Sequence, residues 1–459
     1  MALTGSACQK DGKVNEYLDN IKHRVNNGAA LAHYRTTFES ATMILAHCPR
    51  SSHVVTFAPN DPAFLEDPYP FYEMGRQLSP LYLAGPNMWL IFGYEHISAI
   101  LKDSAGWSSD TRQRPLPTPA ELAAMIEKNG GGFDDYEPSM LGEDAPRHTR
   151  LRSLVSQAFT PRMIEHLTPR IRQVASELLD PVIPTGRMDL VEALSYPLPV
   201  IMISEILGIP PADREMFKAW SDEVVSDLGV GIEGETESKI RPETIDAMRE
   251  YFERMADIRR KDPKDDLLSR LLEAETDGEK LSFPELLQML ILLLVAGNET
   301  TTNLISNAVI EFMAHPDQLQ RVLDAPEMLP AAIEEVLRYH SPVQATVRRA
   351  TRTAQVGGKT IEEDQLAVVW LAAANRDPAI FAEPGVFDVG RTPNRHLAFG
   401  MGAHFCLGAP LARLEARIAL ETLLARARDI HRTDSDPLPR VPTFIMRGVR
   451  SLPIAFTPV

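Results

Sequence analysis

Cys406 lies in a short segment whose residue types could bind a metal. The segment FGMGAHFCLG contains three glycines, a histidine and one of the three cysteines of the chain. The residues after it, LGAPLARLEARIALETLLARAR, have the periodicity of an amphipathic helix, so Cys406 precedes a helix N-terminus. The helix dipole and the free N–H groups at that end favour a thiolate, and the glycines allow another group to approach the backbone closely. The pattern therefore indicates a rigid loop that presents a thiolate to a metal.

From the residue types alone, two other interpretations of Cys406 stay open. A buried cysteine is most often a small hydrophobic residue. His396, His404 and Cys406 could also be zinc ligands, although no second cysteine or pair of histidines completes a typical zinc set.

An acid and an alcohol occur together in the long apolar segment LLLVAGNETTTNLI. The helix that carries them begins at SFPE, which has the pattern of a capping box with a proline in the first turn. Glu299 and Thr300 follow Gly297, although glycine costs about 1 kcal/mol in a helix and a buried carboxylate costs more unless it is partnered or protonated. A hydroxyl bonded to the preceding turn accounts for Thr302. It does not account for the glycine, acid and alcohol together, which favours a functional role for this group.

The segments around these motifs predict a mainly helical protein with a minor β part. SPLYLAG and MWLIFG, separated by GPN, predict a hairpin, and AQVGGKTI, AVVWLAA, FIMRG and SLPIAF predict further short strands. A Pro- and Gly-rich tract from RQRPLPTP to KNGGGFDDYEP predicts a long loop with one helical piece. Residues 1–56 are expected to be a partly helical or disordered extension, and residues 57–459 a single domain.

Composition limits the class of function. The net charge of -16 over 459 residues argues against non-specific nucleic-acid binding, which needs a basic surface. The cysteines are too few for a disulfide framework, so we expect a reducing compartment. MALTGSACQKDGK has no apolar run typical of a signal peptide, and LLQMLILLLVA is too short to span a bilayer. We therefore expect a cytoplasmic protein that binds neither nucleic acid nor membrane.

FGMGAHFCLG resembles the haem-ligand signature of the cytochrome P450 family, F-G-x-G-x-H-x-C-x-G. The match includes every fixed position, namely Phe399, Gly400, Gly402, His404, Cys406 and Gly408. The resemblance implies that the Cys406 thiolate is the axial iron ligand of haem b, iron protoporphyrin IX. It also implies that Phe399 shields the sulfur, that His404 reaches a haem propionate and that the glycines let the backbone lie against the porphyrin.

The fold that this resemblance implies is the mainly α triangular prism of the family, with small β-sheets. In that fold the haem lies between a long oxygen-binding helix and the helix that follows the cysteine ligand. His396 is expected to be structural.

AGNETT resembles the family motif A-G-x-[ED]-T in the long helix over the haem. This implies that Glu299 supplies protons and that Thr300 makes the hydrogen bond on the oxygen side. Ala296 and Gly297 would line the haem, and Gly297 would loosen the helix so that O₂ and water fit. Members that use peroxide generally lack the acid–alcohol pair, so its presence implies a monooxygenase.

IEEVLRYHSP contains the family's E-x-x-R pattern. The resemblance implies that Glu335 and Arg338 join Arg391, in FDVGRTPN, to lock the core around the haem. Taken alone, the Glu335–Arg338 pair is weak evidence, since such pairs are common on helix surfaces. From the resemblance, the three residues are expected to be structural rather than catalytic.

Two further segments resemble the family's haem-propionate partners. In EDAPRHTRLRSLVSQAF, His148 and Arg152 share a helix face because they are four residues apart. Arg suits carboxylates through its planar fork, so both residues are implied to hold propionates. Arg348 in VRRAT is the third implied partner, with the adjacent Arg349 as the alternative.

The resemblance implies an apolar pocket above the haem for a hydrophobic small molecule. Its walls would come from the tract between Trp107 and Met140 and from six residues elsewhere: Leu293, Ala296, Val343, Val347, Ile445 and Met446. The loop between Val230 and Ser238 would be a lid segment. Steroids, terpenes, fatty acids, macrolides and aromatic acids all stay open as substrate classes.

We interpret the chain as a haem-thiolate monooxygenase of the soluble bacterial type, with hydroxylation as its main reaction and epoxidation as the alternative. It has no fused flavin or iron–sulfur segment, so electrons from NAD(P)H would arrive through a ferredoxin reductase and a ferredoxin. The chain is expected to be a monomer. The rival functions are a non-catalytic haem sensor or carrier and a zinc hydrolase that uses His404 and Cys406.

Arginines on two predicted helices have two interpretations. They could form a docking patch for an acidic ferredoxin or be ordinary helix-surface residues. The arginines concerned are Arg147, Arg150, Arg152, Arg413, Arg417, Arg426 and Arg428.

Overall fold

The computed structural model describes residues 61–85, 87–111, 139–226, 241–275 and 278–459. Three expectations concern residues outside these ranges: the extension over residues 1–56, most of the Pro- and Gly-rich tract, and the lid loop between Val230 and Ser238.

The chain divides into two compact units, Met1–Asp67 and Pro68–Val459. In the first unit, helix α1 spans Pro62–Glu66 and is capped by Asp61, whose carboxylate accepts a hydrogen bond from the Ala63 N–H. The second unit carries every candidate site residue.

The second unit is mainly helical, as expected. Its first helices are α2 Tyr69–Leu78, α3 Tyr94–Lys102, α4 Arg147–Ala158, α5 Pro161–His166, α6 Thr168–Leu179, α7 Pro197–Leu207 and α8 Arg214–Ser226. The later helices are α9 Pro242–Lys261, α10 Leu267–Glu273, α11 Phe283–Ala314, α12 Pro316–Asp324, α13 Leu329–Tyr339, α14 Leu371–Ala374 and α15 Ala409–Arg426.

The described strands form three small sheets. The strands are β1 Leu81–Gly85, β2 Met88–Ile91, β3 Trp107–Ser108, β4 Arg187–Asp189, β5 Thr346–Ala350, β6 Ala354–Val356, β7 Lys359–Ile361, β8 Leu366–Val369, β9 Ala427–Arg432 and β10 Pro453–Pro458. The largest sheet has the order β1-β2-β8-β5-β3, and only its β2–β8 pair is parallel. The others have the orders β4-β10-β9 and β6-β7.

Most of the predicted strands are confirmed, and two differ. SPLYLAG and MWLIFG form the antiparallel β1–β2 hairpin, and AQVGGKTI forms the β6–β7 hairpin. In AVVWLAA the strand ends at Val369 and the alanines form α14, since alanine favours a helix and the Ala374 N–H bonds locally to the Trp370 carbonyl. FIMRG is not a strand, because its pairing is limited to one isolated bridge between Met446 and Val343.

Helix α11 is the long central element of the second unit. Its capping box is complete, because the Ser282 hydroxyl accepts from the Glu285 N–H and the Glu285 carboxylate accepts from the Ser282 N–H. The helix runs for 32 residues, well beyond the apolar stretch LLQMLILLLVA that the sequence emphasises. Among the described residues it is the one helix long and apolar enough to cross a bilayer, but 67% of its most apolar window is buried inside the fold. A long apolar helix that is mostly buried inside the fold is typical of a protein core.

The main hydrophobic core surrounds α11. This helix packs against α7, α8, α13 and α15, and its buried side chains include Leu290, Leu294 and Leu304. Each fully buried side chain of this kind stabilises the fold by about 1.5–3 kcal/mol. The same core therefore holds α11 against α15, the helix that begins three residues after Cys406.

Candidate functional site

Cys406 lies half-buried in the loop that leads into α15. Its N–H donates to the Phe399 carbonyl at 2.9 Å, and the N–H groups of Gly408 and Ala409 lie near its sulfur. Burial raises the pKa of the Cys406 thiol, although these N–H groups and the positive charge of Arg152 oppose the rise. The loop therefore supplies the donors that a metal-bound sulfur needs.

Two glycines of this loop have left-handed backbone conformations, with φ of 69° at Gly400 and 74° at Gly402. A Cβ at Gly402 would lie 2.3 Å from the Leu101 carbonyl oxygen, at the end of α3. Gly402 is therefore needed because the backbone of Leu101 packs closely against it. Nothing in the sequence indicated this packing contact.

Phe399 packs against a polar pair on the other side of the loop. The Arg413 guanidinium lies 4.4 Å from the centre of the Phe399 ring and donates to the Glu334 carboxylate at 2.7 and 2.8 Å. His396 also contacts Glu334, at 3.0 Å. Burial alone would raise the pKa of Glu334, but the hydrogen bonds from His396 and Arg413 outweigh it and lower the pKa to about 2. His396 therefore has a structural partner.

Two histidines meet near Cys406. The ring centres of His148, on α4, and His404 lie 3.9 Å apart. Burial, followed by the charge of Arg152, lowers the pKa of His148. Burial, followed by the neighbouring His148, lowers the pKa of His404 to about 4. The Nε2 atom of His148 is buried and has no hydrogen-bond partner among the described residues.

Arg348 and Arg152 complete this group, which we call the cation cluster: His148, Arg152, Arg348 and His404. Arg348 is only 9% exposed. Its guanidinium donates to the Val347 carbonyl of its own strand at 2.7 Å. Arg152 donates to the Phe405 carbonyl at 2.7 Å. The adjacent Arg349 differs, because it pairs with Asp364 at 2.7 Å and donates to the Asp110 carbonyl.

The positive charge of the cation cluster comes from Arg152 and Arg348, because the lowered pKa values of His148 and His404 favour neutral rings. Asp144 is the carboxylate that acts on His148, His404 and Arg348, and it already accepts from the Ser108 hydroxyl and the Ser109 N–H. Buried cations without a full complement of anions are costly, so the cluster suits a ligand that brings carboxylates. Together with the unpartnered Nε2 of His148, it fits the two propionates of a haem.

One face of α11 is open in the middle of an otherwise buried helix. Ala296 is exposed, and Leu293 and Thr300 are partly exposed, although Leu290, Leu294 and Leu304 of the same helix belong to the core. Positions three and four apart share a helix face, so these three residues lie on one exposed face. A Cβ at Gly297 would make only an ordinary contact, 3.7 Å from Ile203, so packing does not require this glycine. The open face fits a planar cofactor.

The acid and the alcohol of α11 have different partners. The Thr300 hydroxyl donates to the Ala296 carbonyl at 2.7 Å, whereas Thr302 contacts the side-chain oxygen of Asn298 at 3.5 Å. The backbone bond that the sequence assigned to Thr302 therefore belongs to Thr300, because the rotamer and not the residue type decides the acceptor.

Glu299 lines a cavity of about 1190 Å³ on a different flank of α11. Polar and charged side chains share its lining, among them Glu192, Arg214 and Lys218. The Glu299 carboxylate accepts from the Asn303 amide at 3.3 Å. The carboxylate is thus on a polar cavity, while Thr300 belongs to the open face.

Part of the expected pocket wall is assembled by two antiparallel segments. Val343 bridges to Met446, and the Gln344 N–H donates to the Ile445 carbonyl at 2.7 Å. Val347 follows on β5. The tract between Trp107 and Met140 was also expected to form this wall, but its residues 112–138 lie outside the described ranges.

Glu335, Arg338 and Arg391 meet in one buried ion cluster. Arg338 binds the Glu335 carboxylate through two hydrogen bonds of 2.7 and 2.8 Å, and both side chains are fully buried. Arg391 reaches the same carboxylate at 3.1 Å. Asn394 also donates to it, at 3.2 Å, a partner that sequence reasoning missed because no motif marks it.

Most of the arginines considered for a docking patch have local partners. Arg147 and Arg150 pair with Glu285, Arg413 with Glu334, Arg417 with Glu421 and Arg426 with Asp180. Arg428 lies on strand β9 and not on the predicted helix, and it donates to the carbonyls of Leu424 and Ala427. These contacts favour ordinary helix-surface arginines over a strongly basic patch.

Comparisons with known proteins agree with this geometry. The family described as Cytochrome P450 matches residues 233–449. A putative cytochrome P450, YjiB of Bacillus subtilis (strain 168), is 40% identical over 361 residues, which cover 78% of this chain and 87% of that protein. The cytochrome P450 monooxygenase PikC of Streptomyces venezuelae is 40% identical over 402 residues, which cover 85% and 91%.

Solved structures give the same result. Cytochrome P450 CYP109Q5 from Chondromyces apiculatus superposes with a TM-score of 0.77 at 36% identity, covering 88% of this chain and 99% of that one. CYP109E1 from Bacillus megaterium in complex with testosterone superposes with a TM-score of 0.74 at 37% identity, covering 85% and 99%.

Proposed function

This chain belongs to the cytochrome P450 family, and from that premise we propose that it inserts one oxygen atom of O₂ into a hydrophobic small molecule. Members of this family are oxygen-incorporating oxidoreductases with haem as their cofactor. Hydroxylation is the proposed main reaction, with epoxidation as the alternative. The chain has the mainly α fold with small β-sheets that the resemblance implied.

The residues proposed to hold the haem surround Cys406. Cys406 would ligate the haem iron through its sulfur, and the cation cluster would bind the propionates. Phe399 shields the sulfur, while Gly400, Gly408, Ala296 and Gly297 allow the porphyrin to lie close to the backbone. When bound, the haem supplies the redox chemistry that activates dioxygen.

The cation cluster beside Cys406 is the observation that carries this proposal. It combines a buried, unpartnered His148 Nε2 with the buried Arg348 guanidinium, next to the half-buried Cys406 sulfur. A zinc site would not need this surplus of positive charge. In the described ranges, no group of three or more His, Cys, Asp and Glu side chains is arranged to hold a metal ion, so nothing favours the zinc hydrolase.

Thr300 and Glu299 are the residues proposed to deliver protons. The Thr300 hydroxyl belongs to the open face, and by rotating away from the Ala296 carbonyl it can donate to a ligand there. Glu299 lies on the polar cavity and can take up protons from its water. A non-catalytic haem sensor or carrier would have no use for this pair.

The substrate is proposed to be hydrophobic because Leu293, Val343, Val347, Ile445 and Met446 are all apolar. Similar proteins are consistent with this class: CYP109E1 structures hold testosterone or corticosterone, and P450BioI was solved with a hexadecenoic acid on an acyl carrier protein. These ligands share an extended apolar body.

Electrons are proposed to come from NAD(P)H through a separate ferredoxin reductase and ferredoxin. The paired arginines around Cys406 indicate that charge complementarity is a small part of docking. Phe405, which is 42% exposed on the signature loop, offers an apolar contact instead. We also propose a cytoplasmic monomer, and the net charge of -16 supports the absence of nucleic-acid binding.

A spectral binding screen followed by product analysis tests the proposal. Ligands from each hydrophobic class are titrated into the haem-loaded protein, and a shift toward high-spin haem identifies those that displace axial water. Turnover of such a ligand under isotopically labelled dioxygen should give a product with one labelled oxygen atom. Electron consumption without labelled product from any ligand that gives the shift would favour the sensor or carrier.

A further inference from the structure

A chain of buried polar side chains connects α11 to the expected pocket wall. The His340 Nδ1 atom lies 2.7 Å from a Glu311 carboxylate oxygen, and the Arg447 Nε donates to the His340 Nε2 at 3.1 Å. Each of these side chains is at most 8% exposed. Because arginine can only donate, Nε2 must accept, so His340 is neutral and its Nδ1 proton points to Glu311. Burial, the first cause, lowers the pKa of His340 to about 4, in agreement with the neutral ring.

Asn307 provides a second connection one turn earlier on α11. Its amide donates to the His340 carbonyl and to the Arg447 carbonyl, both at 3.1 Å, and the residue is fully buried. One side chain thus binds the backbone of two segments that are more than a hundred residues apart in sequence. Asn307 and Glu311 lie four residues apart, so both connections leave the same face of the helix.

The segments held in this way are the ones that form the wall. The Arg447 N–H donates to the Pro342 carbonyl at 2.7 Å, and Gln344 pairs with Ile445 at the same distance. The Val343–Met446 bridge lies between these two bonds. The distance from α11 to the wall is therefore set by Asn307 and by the Glu311–His340–Arg447 chain.

We propose that Asn307, Glu311, His340 and Arg447 are positioning residues that fix the width of the substrate pocket and thereby select substrates by size. This inference rests on the proposed function, because it needs Val343 and Ile445, the partly exposed residues of the two paired segments, to face the substrate. None of the four residues belongs to the proposed haem or proton machinery.

Asn307→Asp tests the inference because it keeps the size of the side chain and removes the amide donor. His340→Asn is the second variant, because the shorter asparagine side chain cannot reach both Glu311 and Arg447. This variant tests the inference if Asn307→Asp does not fold. Ser306→Ala is the matched control: Ser306 is equally buried on α11, but its hydroxyl contacts Ser195 at 2.8 Å and not the wall.

Two measurements are made on each variant after haem loading. The first is amide hydrogen exchange at Gln344 and Arg447, which we expect to accelerate by about tenfold or more in both test variants. The second is the dissociation constant for a series of ligands of graded size, where the ratio between the largest and the smallest ligand should change by about tenfold. Ser306→Ala should change neither quantity.

Unchanged exchange in both test variants would overturn the inference. So would faster exchange with a ligand-size ratio within about twofold of wild type, because the residues would then only stabilise the fold. The exchange measurement does not depend on the thiolate, so a wild type that binds haem without a thiolate signature would overturn the proposed function alone.

Discussion

Thr300 and Thr302 have the same hydroxyl but opposite surroundings. Thr300 is partly exposed on the open face of α11, whereas Thr302 is buried against Asn298. If the open face holds the reacting oxygen, only Thr300 can donate to it.

Thr300→Ala should therefore keep haem binding but uncouple oxygen consumption from product formation. We expect product per electron pair to fall by at least about tenfold, because a positioned proton donor typically contributes a factor of roughly 100 or more. The missing electrons should be recovered as hydrogen peroxide. Thr302→Ala is the control, and tight coupling in Thr300→Ala would reject the proton-delivery role.

The neighbouring arginines of β5 give a second prediction at this scale. Arg348 belongs to the buried cation cluster, whereas Arg349 is paired with Asp364. Arg348→Gln should speed haem loss to an acceptor apoprotein by about tenfold to a hundredfold, since a hydrogen bond to a charged group is worth about 1.5–3 kcal/mol. Arg349→Gln should leave that rate within about twofold. Faster haem loss from Arg349→Gln than from Arg348→Gln would mean that Arg349, and not Arg348, binds the propionate.

The family resemblance of the motifs predicted that Glu335, Arg338 and Arg391 meet, and these side chains form one ion cluster. Residue types and spacing alone predicted a loop that presents the Cys406 thiol just ahead of a helix N-terminus. They were not enough for Thr300 and Thr302, because the acceptor of a hydroxyl depends on its rotamer. They also gave no sign of Asn307, His340 and Arg447, since only the fold brings such distant positions together.

Helix α13 is joined to the segment of Arg391 and Asn394 by an ion cluster whose central acid, Glu335, is fully buried. Glu335 accepts from Arg338, Arg391 and Asn394, so its removal would leave buried guanidinium groups without their anion. We expect Glu335→Ala to lower the free energy of unfolding by about 3–5 kcal/mol, measured by urea denaturation of the haem-loaded protein. Arg321→Ala breaks the exposed pair with Asp388 and should cost less than about 1 kcal/mol. An equal loss of unfolding free energy in Glu335→Ala and Arg321→Ala would contradict the role of burial.

Helix α15 contains a buried acid, Glu415, whose pKa burial raises to about 8. The folded protein then binds a proton between the ordinary pKa of glutamate, about 4.3, and pH 8 that the unfolded chain does not bind. Stability from this group is therefore lost as pH rises through that window, by roughly 1 kcal/mol per pH unit. Glu415→Gln should flatten the decline between pH 5 and 8 in denaturation experiments. An unchanged slope would mean that Glu415 is ionised in the folded state.

At the scale of elements, periodicity and capping predicted α11 and α15, and the strand pattern predicted the β1–β2 hairpin. Sequence patterns were less informative where tertiary contacts decide between helix and strand. The alanines after Val369 form α14, and FIMRG forms only a single β-bridge.

For the molecule as a whole, one core holds α11 against α15 and so brings the open face, the cation cluster and Cys406 into one unit. A sequence motif could indicate each part, but the surplus of buried positive charge is a property of the assembled fold. That surplus is the physical reason why the site suits a haem.

The most direct test is the spectrum of the reduced protein with carbon monoxide, compared with that of Cys406→Ala. The wild type should show the red-shifted Soret band of thiolate-ligated haem, and Cys406→Ala should lose it. A wild-type protein that binds haem without this band, or a Cys406→Ala variant that keeps it, would contradict the assignment of Cys406 as the iron ligand.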